Sequence, residues 1–253
     1  MIEISELKAG YDGKTVLEIE KLSFEEGKIT AIVGLNGSGK STLLKSIVGI
    51  NSYEGEIRID GKNTAKMGHK KRASIASFLP QYSPMANMDI YTLVSHGRFP
   101  YLGYSKILGE EDSVLVEKAL RITDLWEIRE KNLQEISGGE RQRAYLAMVI
   151  AQNTKFILLD EPATYMDIKH QIEVIDVLKL LANEGRGVIF TSHDLPQSFS
   201  VCDRVCLLKN GHLVAEGNPE NVAQNYTLMK DVMGVGLKKS ENKDLVYSFN
   251  LCK

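Results

Sequence analysis

The chain has 253 residues, of which 43% are hydrophobic and 25% charged, and its formal net charge at pH 7 is −2. This size and composition suit one large α/β domain, or two subdomains that share a substantial core. The balanced charge excludes a global basic field, so nucleic acid is not expected as a partner. The sequence has no apolar run near the ~20 residues of a bilayer span and no signal-peptide pattern at its start. We therefore expect the protein to stay in the cytosol.

The N-terminal part of the sequence reads as strands. Residues 2–24 alternate between apolar and polar, with turn signals at 10–13 and 26–27, and this pattern predicts antiparallel strands. The apolar run at 29–33 predicts a buried strand, and residues 43–48 predict a helix behind a glycine-rich loop. Two further strands are predicted at 55–61 and 74–79, and the second of these ends at Pro80.

The middle of the chain reads as helical, from about residue 90 to residue 152, because apolar residues recur there at a spacing of 3.6. Two short apolar runs, 156–160 and 188–192, then flank a predicted helix at 172–182, which is typical of a βαβ unit with parallel strands. A late hairpin is predicted at 206–214 with an Asn-Gly turn. The pattern predicts an α/β core that carries a helical insertion.

The loop between the strand at 29–33 and the following helix has the sequence GLNGSGKST and fits G-x-x-x-x-G-K-S. In this context the glycines allow backbone N–H groups to approach phosphates, and the helix N-terminus adds a positive dipole end. Lys40 can reach the β- and γ-phosphates, and Ser41 can offer its hydroxyl to Mg²⁺. The alternative is an ordinary glycine-rich turn, but the flanking strand and helix favour a nucleotide site. The predicted loop residues are Gly34, Leu35, Asn36, Gly37, Ser38, Gly39, Lys40, Ser41 and Thr42.

Four polar residues at or near strand ends are candidates for metal binding and for catalysis at the nucleotide. Asp160 lies at the carboxyl end of a predicted strand, where α/β sheets present ligand groups, and it can hold Mg²⁺. Glu161 follows it and can act as the general base for an attacking water. His193 ends another strand and can contact a γ-phosphate, and Gln81 can reach Mg²⁺ or the water. Taken alone, such a histidine is more often a structural residue and such a glutamine an ordinary turn residue.

A second glycine pair precedes the long helical stretch that starts near residue 141. Ser137 and Glu140 fit a capping box, which is a purely structural explanation. Gly138 and Gly139 also expose the first N–H groups of a helix, and those groups bind anions well. Because nothing nearby in the sequence supplies an anion, a phosphate held by another subunit is a candidate ligand.

The order and spacing of these motifs resemble those of ABC-type ATPase subunits. The sequence at 34–42 resembles the Walker A loop of that family, ISGGE at 136–140 resembles its LSGGQ signature, and ILLDEP at 157–162 resembles its Walker B strand. Glu140 replaces the usual glutamine of the signature. The resemblance implies an α/β fold with a P-loop NTPase core, an antiparallel β subdomain and an inserted α-helical subdomain.

Further positions match the same family. Gln81 falls in its Q-loop, His193 is in the place of its switch histidine, and Met166-Asp167 matches the end of its D-loop. Tyr11 lies where the family has an aromatic residue that stacks on adenine. The implied single ABC ATPase domain, residues 1–253, has a nucleotide-binding core with its β subdomain at 1–85 and 154–253 and a helical subdomain at 86–153.

The resemblance also implies the working assembly. Two copies of the chain pair head to tail, and each ATP lies between the Walker A loop of one copy and the signature of the other. The implied catalytic residues are Glu161 and His193, and the implied Mg²⁺ residues are Ser41, Gln81 and Asp160. The residues implied to reach ATP in the other subunit are Ser137, Gly138, Gly139, Glu140 and Asp167.

The segment 95–101 resembles the GRYP segment of importer ATPases for ferric siderophores, haem and cobalamin. The resemblance implies that Arg98, Phe99 and Pro100 contact a transmembrane permease, that an extracytoplasmic substrate-binding protein takes part indirectly, and that the subunit is peripheral on the cytoplasmic face of the membrane. The alternative for these three residues is a helix terminus stopped by proline.

Three other functions stay open at the level of sequence. The chain can serve an ABC importer for another substrate, or be a soluble ABC ATPase that acts on ribosomes or nucleic acid. It can also be a nucleotide-dependent switch without turnover. The single cassette without a long insertion argues against the ribosomal class, and the presence of Glu161 and His193 argues against the switch.

Overall fold

The computed structural model describes residues 1–82, 84–103, 107–164, 166–239 and 247–251. The strands in this part of the chain are β1 Ile2–Tyr11, β2 Lys14–Phe24, β3 Ile29–Val33, β4 Tyr53–Ile59, β5 Lys62–Asn63, β6 Ala76–Leu79, β7 Phe156–Asp160, β8 Gly187–Ser192, β9 Arg204–Lys209, β10 His212–Gly217, β11 Val235–Lys239 and β12 Tyr247–Leu251. The α-helices are α1 Lys40–Val48, α2 His69–Ala73, α3 Ile90–Ser95, α4 Glu110–Ile122, α5 Gly138–Ala151, α6 Ile168–Asn183, α7 Leu195–Val201, α8 Pro219–Gln224 and α9 Tyr226–Met233.

Ten strands form one mixed sheet in the order β5-β4-β1-β2-β10-β9-β3-β8-β7-β6. Strands β9, β3, β8, β7 and β6 run parallel to one another. Strand β10 runs antiparallel to β9, and β1 runs antiparallel to both β2 and β4. The two halves meet where β10 lies beside β2, at a single register pair between His212 and Glu18. A separate hairpin consists of β11 and β12.

The central strands are mostly apolar because both faces of the sheet are covered. Every residue of β3 and β7 is buried, which explains why these strands read as continuous apolar runs rather than alternating ones. One face packs on a core with α3 to α6, and the other packs on α1 and the antiparallel strands. Because β3, β8 and β7 run parallel, their carboxyl ends lie at the same edge of the sheet, where their loops begin.

The predicted strands and helices are present, with shifted ends. Helix α6 begins at Ile168 because Asp167 caps it, four residues before the predicted start. Strand β6 begins at Ala76, since Ser74 still belongs to the C-terminal cap of α2. The short helices α2, α7, α8 and α9 were not predicted. Within the described residues, no helix combines the length and apolar character of a membrane span.

Candidate active site

The loop between β3 and α1 requires its glycines. Gly37 and Gly39 have φ values of +79° and +100°, in the left-handed region that other residues avoid. A Cβ on Gly34 would lie 2.4 Å from the carbonyl oxygen of Leu208 on β9, so this close approach excludes any side chain. The loop therefore has the tight path that turns backbone amides toward a ligand at the start of α1.

Lys40 is the first residue of α1 and is only 6% exposed. Its Nζ donates to the carbonyl oxygens of Gly34 at 2.8 Å and Leu35 at 3.2 Å. Burial lowers the pKa of Lys40, and the nearby carboxylates of Glu161 and Asp160 oppose that shift. Since the first amides of a helix have no partner within it, this ammonium group and the helix start together suit an anion.

A cavity of about 320 Å³ opens in front of the loop. It is lined by Val16, Asn36, Gly37, Gly39, Lys40, Ser41, Thr42, Gln81 and Glu161. The fold thus brings most of the predicted loop together with the predicted Q-loop glutamine and the candidate base. Tyr11 is not among these lining residues. It lies at the end of β1 with its ring exposed, and Val16 of β2 lines the cavity instead.

Asp160 is buried at the end of β7, and its Oδ1 accepts two hydroxyl hydrogen bonds. Ser41 Oγ donates at 3.0 Å and Thr191 Oγ1 at 2.7 Å. The described residues contain no cluster of three His, Cys, Asp or Glu side chains that could hold a metal by itself. A single carboxylate with a neighbouring hydroxyl nevertheless fits Mg²⁺, which usually takes one or two carboxylates and completes its shell with phosphates and water.

Thr191 is a site residue that the sequence reasoning missed. It lies on β8 directly opposite Asp160 in the parallel register and is completely buried. Besides its bond to Asp160, its Oγ1 accepts the backbone N–H of Glu161 at 2.9 Å. The available signal was a polar pair, Thr191-Ser192, at the end of an otherwise apolar strand.

Three side chains surround one oxygen of the candidate base. Glu161 Oε2 accepts from Gln81 Nε2 at 2.9 Å and from Thr164 Oγ1 at 3.0 Å, and His193 Nδ1 lies 3.4 Å away. Glu161 itself has a φ of +51°, which is uncommon for a residue with a side chain. Such a strained conformation persists only where the surroundings hold it, and here the bond to Thr191 and the three contacts at Oε2 do so.

The signature segment lies at the N-terminus of α5, outside the set of residues that line the phosphate cavity. Ser137 Oγ accepts the N–H of Glu140 at 3.2 Å, and Glu140 Oε2 accepts the N–H of Ser137 at 2.8 Å. This is the predicted capping box. The hydrogen bonds from Ser137 lower the pKa of Glu140. A Cβ on Gly138 would meet no atom of the described residues within 4 Å, so their packing does not require glycine at that position.

Asp167 caps α6 close to the same segment. Its Oδ1 accepts the backbone N–H of His170 at 2.9 Å and lies 2.7 Å from the ring Nδ1 of that residue. The hydrogen bond from the His170 backbone lowers the pKa of Asp167. The same imidazole would lie 3.7 Å from a Cβ on Gly139. His170, which the sequence reasoning did not identify, therefore connects the cap of α6 with the start of α5.

The three residues predicted to contact a permease differ in orientation. Phe99 is 46% exposed, and Pro100 is partly exposed. Arg98 is only 6% exposed, and its Nε donates to Asp112 Oδ1 at 2.8 Å. Its guanidinium carbon lies 4.1 Å from the ring centroid of Tyr101. The outward surface of this segment is thus aromatic, and the arginine faces inward.

Comparison with known proteins identifies the family. The family model described as ABC transporter matches residues 17–164. The petrobactin import ATP-binding protein YclP of Bacillus subtilis (strain 168) is 41% identical over 90% of this chain and 91% of its own length. The hemin import ATP-binding protein HmuV of Chelativorans sp. (strain BNC1) is 37% identical over 94% of this chain and 93% of its own length.

Among solved structures, the dimeric ATP-binding cassette MJ0796, bound to ADP and Pi, superposes with a TM-score of 0.77. It is 27% identical in sequence, and the match covers 87% of this chain and 99% of that one. The predicted fold class and the predicted ATPase are confirmed by these matches. The convergence of its loops on one cavity and its similarity to these relatives show that the chain belongs to the ABC transporter family.

Proposed function

We propose that this chain is the ATP-binding and ATP-hydrolysing subunit of an importer for a metal chelate of the ferric siderophore, haem or cobalamin type. The observation that carries the proposal is the convergence of the phosphate loop, Gln81 and Glu161 on one cavity, with Asp160 bonded to Ser41 of its lining. The relatives named for petrobactin and hemin import support the class of cargo. We also propose the division into a core at 1–85 and 154–253 and a helical subdomain at 86–153.

ATP binds along the glycine loop in this proposal. The amides of the loop and the ammonium group of Lys40 hold the phosphates, and Tyr11 stacks on the adenine from the exposed end of β1. Ser41, Asp160 and Gln81 would hold Mg²⁺, and the bound ion would neutralise charge that develops on the phosphates. The two oxygens of Ser41 and Asp160 already lie 3.0 Å apart, so they can serve one cation together.

The second half of the site comes from another copy of the chain. Gly138 leaves open space at the start of a capped helix, and an open N-terminal turn accepts a phosphate well. We therefore place Ser137, Gly138, Gly139 and Glu140 against the γ-phosphate held by the other subunit, with Asp167 beside them. The dimeric arrangement of MJ0796 supports this pairing.

Glu161 is the general base for the attacking water. Its Oε2 is oriented by Gln81, Thr164 and His193, which leaves the other oxygen to accept a proton from water. His193, whose side chain is 61% exposed, can contact the γ-phosphate on the open side. ATP then closes the dimer and hydrolysis reopens it, which is a ligand-dependent shift between two populations.

The outward aromatic surface near Phe99 and Pro100 contacts the permease in this proposal. The subunit would then lie on the cytoplasmic face of the membrane, and an extracytoplasmic binding protein would deliver the chelate on the other side. The cargo does not touch this subunit, so its residues do not select it.

The catalytic part is tested with Glu161→Gln, which keeps the size of the side chain but removes the base. We expect the variant to bind ATP as wild type does and to hydrolyse it at least about 100-fold more slowly, within the usual range for a general base. Nucleotide binding and phosphate release are measured on the same preparation. Near wild-type turnover would exclude Glu161 as the base.

The transport part is tested by a pull-down from detergent-solubilised membranes of the native host, with this subunit tagged and its partners identified by mass spectrometry. We expect a polytopic permease and ATPase activity in the recovered complex. A tagged Phe99→Asp variant serves as the matched control, because a charge on the outward surface should reduce the recovery of that permease. Recovery of ribosomal or other soluble partners alone would refute the importer proposal.

A further inference from the structure

Two buried arginines hold the C-terminal end of α5. Arg98 Nη1 donates to the carbonyl oxygens of Ala151 at 2.9 Å and Gln152 at 3.2 Å. Arg186 Nη1 donates to Ile150 O at 3.4 Å. The last carbonyls of a helix have no partner within it and carry the negative end of its dipole. Two cations at this end therefore fix it from two sides.

The two arginines come from different parts of the fold. Arg186 immediately precedes β8, the strand that carries Thr191 at its other end. Arg98 belongs to residues 97–102, which we name the contact segment because its aromatic residues face outward. In the same segment, a Cβ on Gly97 would lie 2.2 Å from Met148 O of α5. The contact segment is therefore seated directly on the last turn of this helix.

The other end of α5 carries the signature. The helix spans Gly138–Ala151, which is 14 residues, and so is about 21 Å long at 1.5 Å per residue. Ser137 caps its first turn, while Arg98 holds its last carbonyls. A continuous helix without proline resists bending, so a displacement at one end is carried to the other.

We propose that Arg98 is a positioning residue that couples the contact segment to the signature through α5. The inference rests on the proposed function, since it assumes that ATP meets the signature of a second copy. When the contact segment moves, the bonds from Arg98 to Ala151 and Gln152 move α5 with it, and Ser137 and Gly138 change position relative to the nucleotide. Coupling between sites is reciprocal, so ATP at the signature must in turn change the contact segment.

This reciprocity allows a test on the full chain with MgATP alone. Hydrogen–deuterium exchange is measured in Glu161→Gln, with and without MgATP, for the amides of the contact segment and of residues 137–140. The segment provides suitable probes, because the N–H of Tyr101 bonds to Arg98 O. We expect MgATP to slow exchange in both regions, about fivefold or more in the contact segment, the lower end for an allosteric coupling.

The decisive variant adds Arg98→Met, which keeps an unbranched stem in place of the arginine stem and removes the guanidinium with its hydrogen bonds. We expect MgATP still to slow hydrogen exchange at residues 137–140, whereas its slowing of exchange in the contact segment should fall below about twofold. Asp112→Asn is the matched control, because it weakens the ion pair of Arg98 with α4 and leaves the bonds to α5 in place. Its response should equal that of Glu161→Gln alone.

Two results would overturn the proposal. The first is an unchanged response of the contact segment in Arg98→Met, and the second is loss of the response in Asp112→Asn to the same extent. If Arg98→Met fails to fold, Arg98→Lys provides the same comparison, since it keeps the charge but not the two-pronged geometry. Absence of any MgATP effect at residues 137–140 in Glu161→Gln itself would instead refute the proposed function.

Discussion

Thr191→Val removes one hydroxyl from the centre of the site and changes the shape of the side chain very little. The hydroxyl donates to Asp160 Oδ1 at 2.7 Å and accepts the N–H of Glu161 at 2.9 Å. Thr191 is completely buried and its bond to the Glu161 amide is partly buried, so water replaces these bonds poorly. We expect the substitution to destabilise the fold and to release Glu161 from its left-handed conformation.

The magnitude follows from the groups left without a partner. Asp160 Oδ1 keeps its bond from Ser41, so the larger loss is at the amide of Glu161. A buried donor left unsatisfied costs about 1–3 kcal/mol. In a chain of this size, each kcal/mol lowers the melting temperature by about 2–4 °C, so a loss near 2 kcal/mol corresponds to roughly 4–8 °C. With the base displaced, ATP turnover should fall about tenfold or more, equivalent to 1.4 kcal/mol in the barrier.

The assay is urea denaturation together with ATPase kinetics on wild type, Thr191→Val and Thr191→Ser. The serine variant keeps the hydroxyl and loses one methyl group, so it should cost about 1 kcal/mol or less and keep most of the turnover. If the valine variant is within about 0.5 kcal/mol of wild type, the range of neutral substitutions, the reasoning is wrong. Equal turnover in the valine and serine variants would also refute it.

Three further predictions concern stability and activity. Gly138→Ala should change the free energy of unfolding by less than about 1 kcal/mol, because its Cβ would meet no described atom within 4 Å. The ATPase activity of the dimer should nevertheless fall, and full activity would exclude close contact between Gly138 and the nucleotide. Gly97→Ala should lower the free energy of unfolding, measured in urea, by about 3 kcal/mol or more, because its Cβ would lie 2.2 Å from Met148 O. A mild effect would show that the last turn of α5 shifts at little cost to make room for the methyl group. Burial acts to raise the pKa of Asp112, but hydrogen bonds from Arg98 and the Gly109 amide hold that pKa below its usual 3.8. The ionised carboxylate therefore stabilises the fold at neutral pH, and this contribution disappears as the pH falls through the lowered pKa. The stability gap between wild type and Asp112→Asn should narrow between pH 5 and pH 3 (roughly, from the reference carboxyl pKa), and a constant gap would contradict the assignment.

The phosphate loop was predictable because its determinants are local. Gly37 and Gly39 are needed for backbone angles, and the apolar run of β3 precedes them directly in the sequence. The capping box of Ser137 and Glu140 was predictable for the same reason, since its residues are three apart. Such features depend only on residues that are close together in the sequence, so the sequence pattern predicts them directly.

Thr191 was not predictable because its role depends on register. Only the pairing of β7 with β8 places it opposite Asp160, and no local pattern fixes that pairing. The inward orientation of Arg98 likewise depends on where the end of α5 lies. The missed helices α7 and α8 did carry signals, because Asp194 and Asn218 cap them and proline lies in the first turn of each.

The position of β3 in the sheet has a consequence for how the protein is made. This strand lies between β8 and β9, and its partners at Val188–Ser192 and Arg204–Leu207 follow it by more than 150 residues. At a synthesis rate of about 5–20 residues per second, the strand that carries the phosphate loop waits roughly 8–30 s for its neighbours. Until then the apolar residues of β3 have no neighbouring strand to pair with. The nascent chain therefore exposes a hydrophobic segment of the kind that chaperones bind. Nucleotide can be held only after most of the polypeptide has left the ribosome, so ribosome stalling before β8 yields a chain that cannot yet bind ATP.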